Sequence, residues 1–462
     1  MSFKKGVVYV FIANVLNLII SLFTGFVLPK LLSIDTYANI KLFQLYITYI
    51  GILHLGFADG MYLRIGGKNI DSIDKKEIRA EFKTFKIFQL VVSILAIIFS
   101  LLIKNEMLLF CSMVILPINV GNYLRQVYQA TGQFKKYSRF TNINTLLIFI
   151  VNLILLFIVK TDDYSKYIIA YIIAYIVYWI MIEVETRKIL GKEKVKADKK
   201  YLIKDVKDGF FLMIGNFCNV IFTGIDRLFV QNLMGSVKFA FYSFAVSVEN
   251  LMNVFITPIS TVMYNYLCNN NEREKVLKIK DIIVVFSAII ISIIFPAKFI
   301  VENWLQKYSE SINVLFILIA AQCITIMVRC IHVNLYKAKK KQNRYFAIMT
   351  IIIVISVILN VIFYFSFRTM EAIAFATLCT SIIWFIIGEI DFKEYRMSIK
   401  NYVYIFIAVI LFLTCGQITN TIMGTIIYVS MVLVLTLMLK RNTFEYMLKE
   451  GVGFLKKKFL NK

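Results

Sequence analysis

Histidine is nearly absent from this 462-residue chain, with only His54 and His332. Its seven cysteines (Cys111, Cys218, Cys268, Cys323, Cys330, Cys379 and Cys415) contain no CxxC pair. Neither a metal site nor a disulfide framework is indicated, and each cysteine reads as a small apolar core residue. Charge is scarce too, at 17% of residues, against roughly 25% in soluble domains. Apolar residues take its place, at 59%, where a soluble domain has about 45–50%. The bilayer must be the solvent.

Fourteen apolar runs are long enough to cross a hydrocarbon core of roughly 30 Å as helices. They fall at 6–28, 37–57, 85–103, 107–128, 140–159, 167–186, 209–233, 239–266, 281–300, 311–333, 345–367, 371–391, 402–418 and 421–439. The expected fold is all-α and polytopic, with about fourteen transmembrane helices. The first run follows only Met-Ser-Phe-Lys-Lys and lacks a small-residue cleavage site, so it reads as a retained helix.

The net charge of +24 is a matter of placement. With a cytoplasmic N-terminus, 40 of the 52 Lys/Arg lie in inner loops and tails and 9 in outer loops, leaving Arg125, Arg227 and Arg329 inside helices. This obeys the positive-inside rule. It predicts a multi-pass protein of the cytoplasmic membrane with both termini cytoplasmic and its basic loops on anionic inner-leaflet lipids, not on nucleic acid.

The longest polar stretch, 187–208, divides the chain into an N-lobe (1–186), this basic connector, a C-lobe (209–391) and a further helix pair with a basic tail (392–462). An offset of 202 places Asn14, Asn17, Ser21 and Thr24 opposite Asn216, Asn219, Thr223 and Asp226, and Tyr37-Ala38 opposite Phe239-Ala240. An offset of 208 places Tyr128-x-Ala130 and Tyr137 opposite Tyr336-x-Ala338 and Tyr345. Six helices separate equivalent positions, so the halves should be parallel repeats, which usually enclose a site at their interface. The polar residues recur at steps of three and four and form one stripe per half. Two readings stand: hydrogen-bonding glue between helices, or the wall of a water-filled cavity.

Charges at membrane depth normally face a bundle interior or water and have a purpose. Asp226, Arg227 and Glu249 are the strongest cases, with an Arg227–Glu249 pair expected from their similar depth. Arg64, Arg125 and Arg329 lie near inner helix ends. They either snorkel to headgroups or form a cationic vestibule, where the guanidinium fork suits pyrophosphate. His54, Asp59, Glu183, Glu185 and Glu389, near helix ends, read as structural or solvated, and Asp162-Asp163 as a turn.

These segments carry a family resemblance. Thr223-Gly-Ile-Asp-Arg-Leu-Phe-Val-Gln-Asn-Leu-Met-Gly235, followed by Phe241-Tyr-Ser-Phe-Ala245, resembles the seventh and eighth helices of polysaccharide biosynthesis flippases, the O-antigen flippase (Wzx-like) family. Leu55-Gly-Phe-Ala-Asp-Gly-Met-Tyr-Leu-Arg-Ile-Gly-Gly67 looks like that family's exit from helix 2, and Arg125-Gln-Val-Tyr-Gln-Ala-Thr-Gly-Gln-Phe-Lys-Lys136 its exit from helix 4. The family belongs to the multidrug, oligosaccharidyl-lipid and polysaccharide exporter superfamily. The resemblance implies two six-helix lobes around a central cavity plus two C-terminal helices. It implies a flippase moving an undecaprenyl-pyrophosphate-linked oligosaccharide of O-antigen, capsule or a related glycan outward by alternating access.

No cofactor follows from it beyond coupling to an H+ or Na+ gradient through Asp226 or Glu249. The implied partners are the lipid-linked oligosaccharide, membrane lipids, a glycan polymerase and other assembly proteins. An ion-coupled drug exporter of the same fold is the main rival. A glycan polymerase would need a larger outer loop than the longest here, residues 297–311. A membrane acyltransferase would need a histidine with polar neighbours, and the surroundings of His54 and His332 read as apolar.

Overall fold

The computed structural model describes residues 18–191, 193, 195–269 and 272–460; Asn14, Asn17 and most of the first expected span lie outside the described residues. Among the described residues the regular structure is helical, without strands. Two compact units form, Met1–Gly224 and Ile225–Lys462.

In the first unit, α1 (Leu18–Leu31) is followed by α2 (Ile34–Tyr49), α3 (Phe57–Ile65), α4 (Lys75–Leu102), α5 (Glu106–Ala130), α6 (Phe134–Val159), α7 (Tyr164–Leu190) and α8 (Lys199–Phe222). Short polar side chains set the starts. Ser33, Asp74, Asn105, Asp163 and Asp198 each accept a backbone N–H of the turn they open, satisfying donors that the helix leaves free. Asp162, beside one of these caps, accepts from Ser33 N at 2.9 Å, in keeping with the turn reading of this acidic pair. The core here is aromatic: the Phe85 ring lies 4.9 Å from Phe57 and 4.8 Å from Tyr123.

The second unit runs through α9 (Ile225–Glu249), α10 (Asn253–Asn269), α11 (Arg273–Trp304), α12 (Ser311–Ala338), α13 (Gln342–Phe367), α14 (Met370–Asp391), α15 (Ile399–Gly416) and α16 (Thr421–Leu460). Its core takes Phe295 from α11, Phe316 from α12, Phe412 from α15 and Tyr428 from α16, so the C-terminal pair is part of it. Charges on α11 hold that pair. Lys298 donates to Gly416 O and Ile418 O at 2.8 and 2.6 Å, and Asp281 takes Asn401 and Lys440 at 2.7 and 2.9 Å. Side chains such as Leu102, Ile158, Phe365 and Met438 point out and offer an apolar surface, as lipid requires.

Among the described residues eleven helices are long and apolar enough to span a membrane, or twelve if the bent pair Ile34–His54 and Phe57–Ile65 is one span. The count of fourteen is therefore not reached. The described part of the first run, Leu18–Leu31, is short, and the seventh is interrupted. α8 ends at Phe222, and the chain turns at Thr223-Gly224 before α9 begins. A Cβ on Gly224 would lie 2.3 Å from the Tyr49 hydroxyl, so a side chain there would have to displace that ring. The 64° bend in the second run has its own cause, since Leu55 and Gly56 are both left-handed, with φ of 51° and 86°. The loop expected at 297–311 is also shorter, because α11 stays helical to Trp304.

The tyrosines matched at the offset of 208 make similar contacts. Tyr128, at the end of α5, shares a 2.8 Å hydrogen bond with Thr186 near the end of α7, and Tyr336, at the end of α12, donates to Asp391 at the end of α14 over the same distance. Five cysteines are buried as expected, but Cys268 is exposed and Cys379 half-buried. An exposed position on α10 gives Cys268 no core to join.

Candidate substrate-binding site

The break before α9 places a carboxylate in that helix's first turn. Asp226 is buried, accepts Arg227 N at 2.8 Å on Oδ1 and takes the Tyr242 hydroxyl at 2.8 Å on Oδ2. Tyr242 returns toward Asp226 beyond a second break, at Gly235, whose φ of 83° only glycine adopts readily. At the far end of α9, half-buried Glu249 accepts Gln322 Nε2 of α12 at 2.7 Å. Arg329 projects from a π turn, Val328–His332, a distortion frequent at functional sites. Its Nη1 donates to Asn253 Oδ1 at 2.6 Å. Asp226, Arg227 and Arg329 are all within electrostatic reach of Glu249.

Three sequence-predicted residues, Asp226, Arg227 and Arg329, thus lie within electrostatic reach of a fourth, Glu249, in one unit. Arg227, Glu249 and Arg329 are half-buried. Sequence reasoning missed Tyr242, Gln322 and Asn253, though the Tyr-Ser element containing Tyr242 was already part of the family pattern. Tyr242→Phe, which leaves Asp226 Oδ2 without its donor, should lower stability by about 1–3 kcal/mol. A thermal unfolding midpoint equal to wild type in detergent would contradict this.

The other predicted residues lie in the first unit. Arg64 is held by three carboxylates: it contacts Glu81, lies 3.3 Å from Glu77 and lies 3.4 Å from Asp205. Arg125 donates to Asn122 Oδ1 at 3.0 Å, and its guanidinium lies 5.9 Å from the Tyr137 ring centre. Asn216 donates to Asp59 at 3.3 Å, and His54 Nε2 stands 3.7 Å from the same carboxylate. Asn219 and Thr223 bond to carbonyls of their own helix and are exposed, as is Asn216.

One polar network was misread. Glu389 is buried and takes Lys280 at 2.5 Å, His332 at 2.9 Å, the Tyr402 hydroxyl at 2.7 Å and Met397 N at 3.0 Å. The apolar surroundings inferred for His332 are thus wrong: its own helix is apolar, but α11 and α14 bring it a lysine and a glutamate. The signal available was the presence of opposite charges, Lys280 near the start of α11 and Glu389 near the end of α14, which alternating spans bring to one side of the membrane.

Residues 3–269 match the family described as polysaccharide biosynthesis protein. No curated protein matches the chain. Among solved structures, a lipid II flippase MurJ in an inward-closed conformation is similar, with a TM-score of 0.74 and 18% identity over 96% of this chain and 100% of that one. An inward-facing multidrug resistance MATE family transporter of the MOP superfamily scores 0.59, at 13% identity over 83% and 95%. A MATE crystallised with MaD3S scores 0.53, at 13% identity over 85% and 96%. At these identities the likeness is one of fold.

Proposed function

The chain belongs to the polysaccharide biosynthesis protein family, and on that premise we propose that it is a transporter, not an enzyme. It flips an undecaprenyl-pyrophosphate-linked oligosaccharide, of O-antigen, capsule or a related glycan, from the inner to the outer leaflet of the cytoplasmic membrane by alternating access. The observation that carries this reading is that Arg227 and Arg329, both half-buried, lie within electrostatic reach of the same carboxylate, Glu249. Two planar guanidinium forks are suited to a pyrophosphate, and no bond need break. Asp226 and Glu249 beside them supply carboxylates through which an H+ or Na+ gradient drives the cycle. The fold shared with the lipid II flippase is consistent with a lipid-borne substrate. The concentration of Lys and Arg in alternate loops supports cytoplasmic termini. A glycan polymerase and other assembly proteins receive the product.

The second reading, an ion-coupled drug exporter, draws on Glu249 and on the fold shared with the MATE transporters. Reconstitution separates the two. A fluorescent prenyl-pyrophosphate oligosaccharide in liposomes should become sensitive to an external glycosidase only when the protein is present. Arg329→Ala removes a charge-assisted contact of about 1.5–3 kcal/mol and should slow exposure about ten- to hundredfold. Protein-dependent drug efflux, with no glycan exposure under any imposed gradient, would establish the exporter instead.

A further inference from the structure

The first unit holds a buried charge cluster that the proposed substrate site does not use. Arg64 of α3 faces Glu77 and Glu81 of α4 and Asp205 of α8. Glu81 and Asp205 are both wholly buried, whereas Glu77 reaches the surface. Tyr123 of α5 donates its hydroxyl to Glu81 Oε1 at 2.8 Å, and Lys204 of α8 is the other cation within reach of Asp205. Asp205 Oδ1 lies 3.4 Å from Arg64 Nε, but its Oδ2 is buried without a hydrogen-bond donor. Arg64 bridges the two buried carboxyls, contacting Glu81 and standing 3.4 Å from Asp205. With both acids ionised, one guanidinium leaves a buried negative charge over and no donor for that oxygen, which is strongly disfavoured. A single proton between the two carboxyls removes both difficulties.

The cluster sits where two helices meet backbone to backbone. Gly60 of α3 and Gly56, the left-handed residue that precedes it, leave no side chain between that stretch and α8. A Cβ on Gly60 would lie 2.1 Å from Asp205 O, and one on Gly209 would lie 2.0 Å from Gly56 O. Asp205 is therefore dry because α3 and α8 are crossed. Parting the helices would admit water to it.

We propose that Glu81 and Asp205 share one proton while α3 and α8 are crossed and release it to cytoplasmic water when the helices part. Crossing forms the O–H···O⁻ hydrogen bond between the two carboxyls. Parting breaks it, and the proton leaves with water as the acids ionise. Burial pushes the Asp205 carboxyl up from its ordinary range, in the same direction. The crossed form binds the extra proton, so acid on that side holds the helices together and alkali favours their parting. What the parting admits, the lipid-linked headgroup, rests on the flippase reading; the proton site does not.

The test uses the full chain in liposomes, with Cys268→Ala and Cys379→Ala to remove the accessible native thiols, spin-labelled through Lys68→Cys and Lys207→Cys, both exposed positions near the cluster. Pulsed electron resonance should give two distances, with their ratio shifting toward the longer by up to about tenfold per pH unit through the titration. Asp205→Asn and Glu81→Gln should each remove that dependence. Infrared spectroscopy of the unlabelled protein at acid pH should show a protonated-carboxyl band that both substitutions abolish. One distance at every pH, or a pH dependence that survives both substitutions, would overturn the proposal. A pH-linked distance change in a protein that flips no glycan would sink the flippase reading and leave the proton site standing; flipping with a pH-independent distance would do the reverse.

Discussion

Glu389→Ala should be among the most destabilising single substitutions in this chain, costing about 3–5 kcal/mol. The carboxylate receives four donors, and two of them, Lys280 and His332, are wholly buried. Its removal leaves the Lys280 ammonium with Tyr395 O, at 2.7 Å, as its remaining hydrogen-bond acceptor. No water can reach the ion, so the cost is that of an unpaired buried charge and not of one lost hydrogen bond. The double variant Lys280→Met with Glu389→Met should regain most of the loss, because replacing a buried pair by apolar groups of similar volume is often near neutral. Thermal unfolding of the purified protein in detergent gives the comparison. A double variant as unstable as Glu389→Ala would mean that the network acts through shape and not through charge balance.

That network marks where the sequence stopped being informative. Apolar runs report the solvent of each helix, so the all-α membrane fold was legible, and hydropathy marked Asp226, Arg227 and Glu249 as charges at membrane depth. Which helices become neighbours is not written in any one run. His332 appears apolar because its own helix is apolar; its partners come from residues 280 and 389, brought close only by packing. Arg64 shows the same limit. Alone in the sequence it is a cation available to a phosphate, whereas in the fold Glu77, Glu81 and Asp205 surround it. The break at Thr223-Gly224 was within reach, because glycine beside a β-branched residue inside an apolar run is a poor helix interior. Hydropathy misses it, because hydropathy counts residues and ignores the backbone.

Two glycines six residues apart on α8 should respond to alanine with opposite signs. Gly215 has open space where its Cβ would stand, so Gly215→Ala gains helix propensity and should raise stability by about 0.5–1 kcal/mol. Gly209 is the reverse case. Its Cβ would come within 2.0 Å of Gly56 O and 2.2 Å of Gly60 N, and these are backbone atoms with no rotamer to escape into. The helices would have to separate, stretching the Arg64–Asp205 contact at 3.4 Å and the Asn216–Asp59 hydrogen bond at 3.3 Å, both already near their limit. Overpacking of this kind costs about 1–3 kcal/mol or more, so Gly209→Ala should lower the unfolding midpoint while Gly215→Ala raises it. Gly60→Ala, facing Asp205 O at 2.1 Å from the other helix, should match Gly209→Ala. Equal midpoints for the two α8 variants would mean that α3 and α8 are not in backbone contact in the membrane protein, and the buried proton between Glu81 and Asp205 would then have nothing to keep it from water.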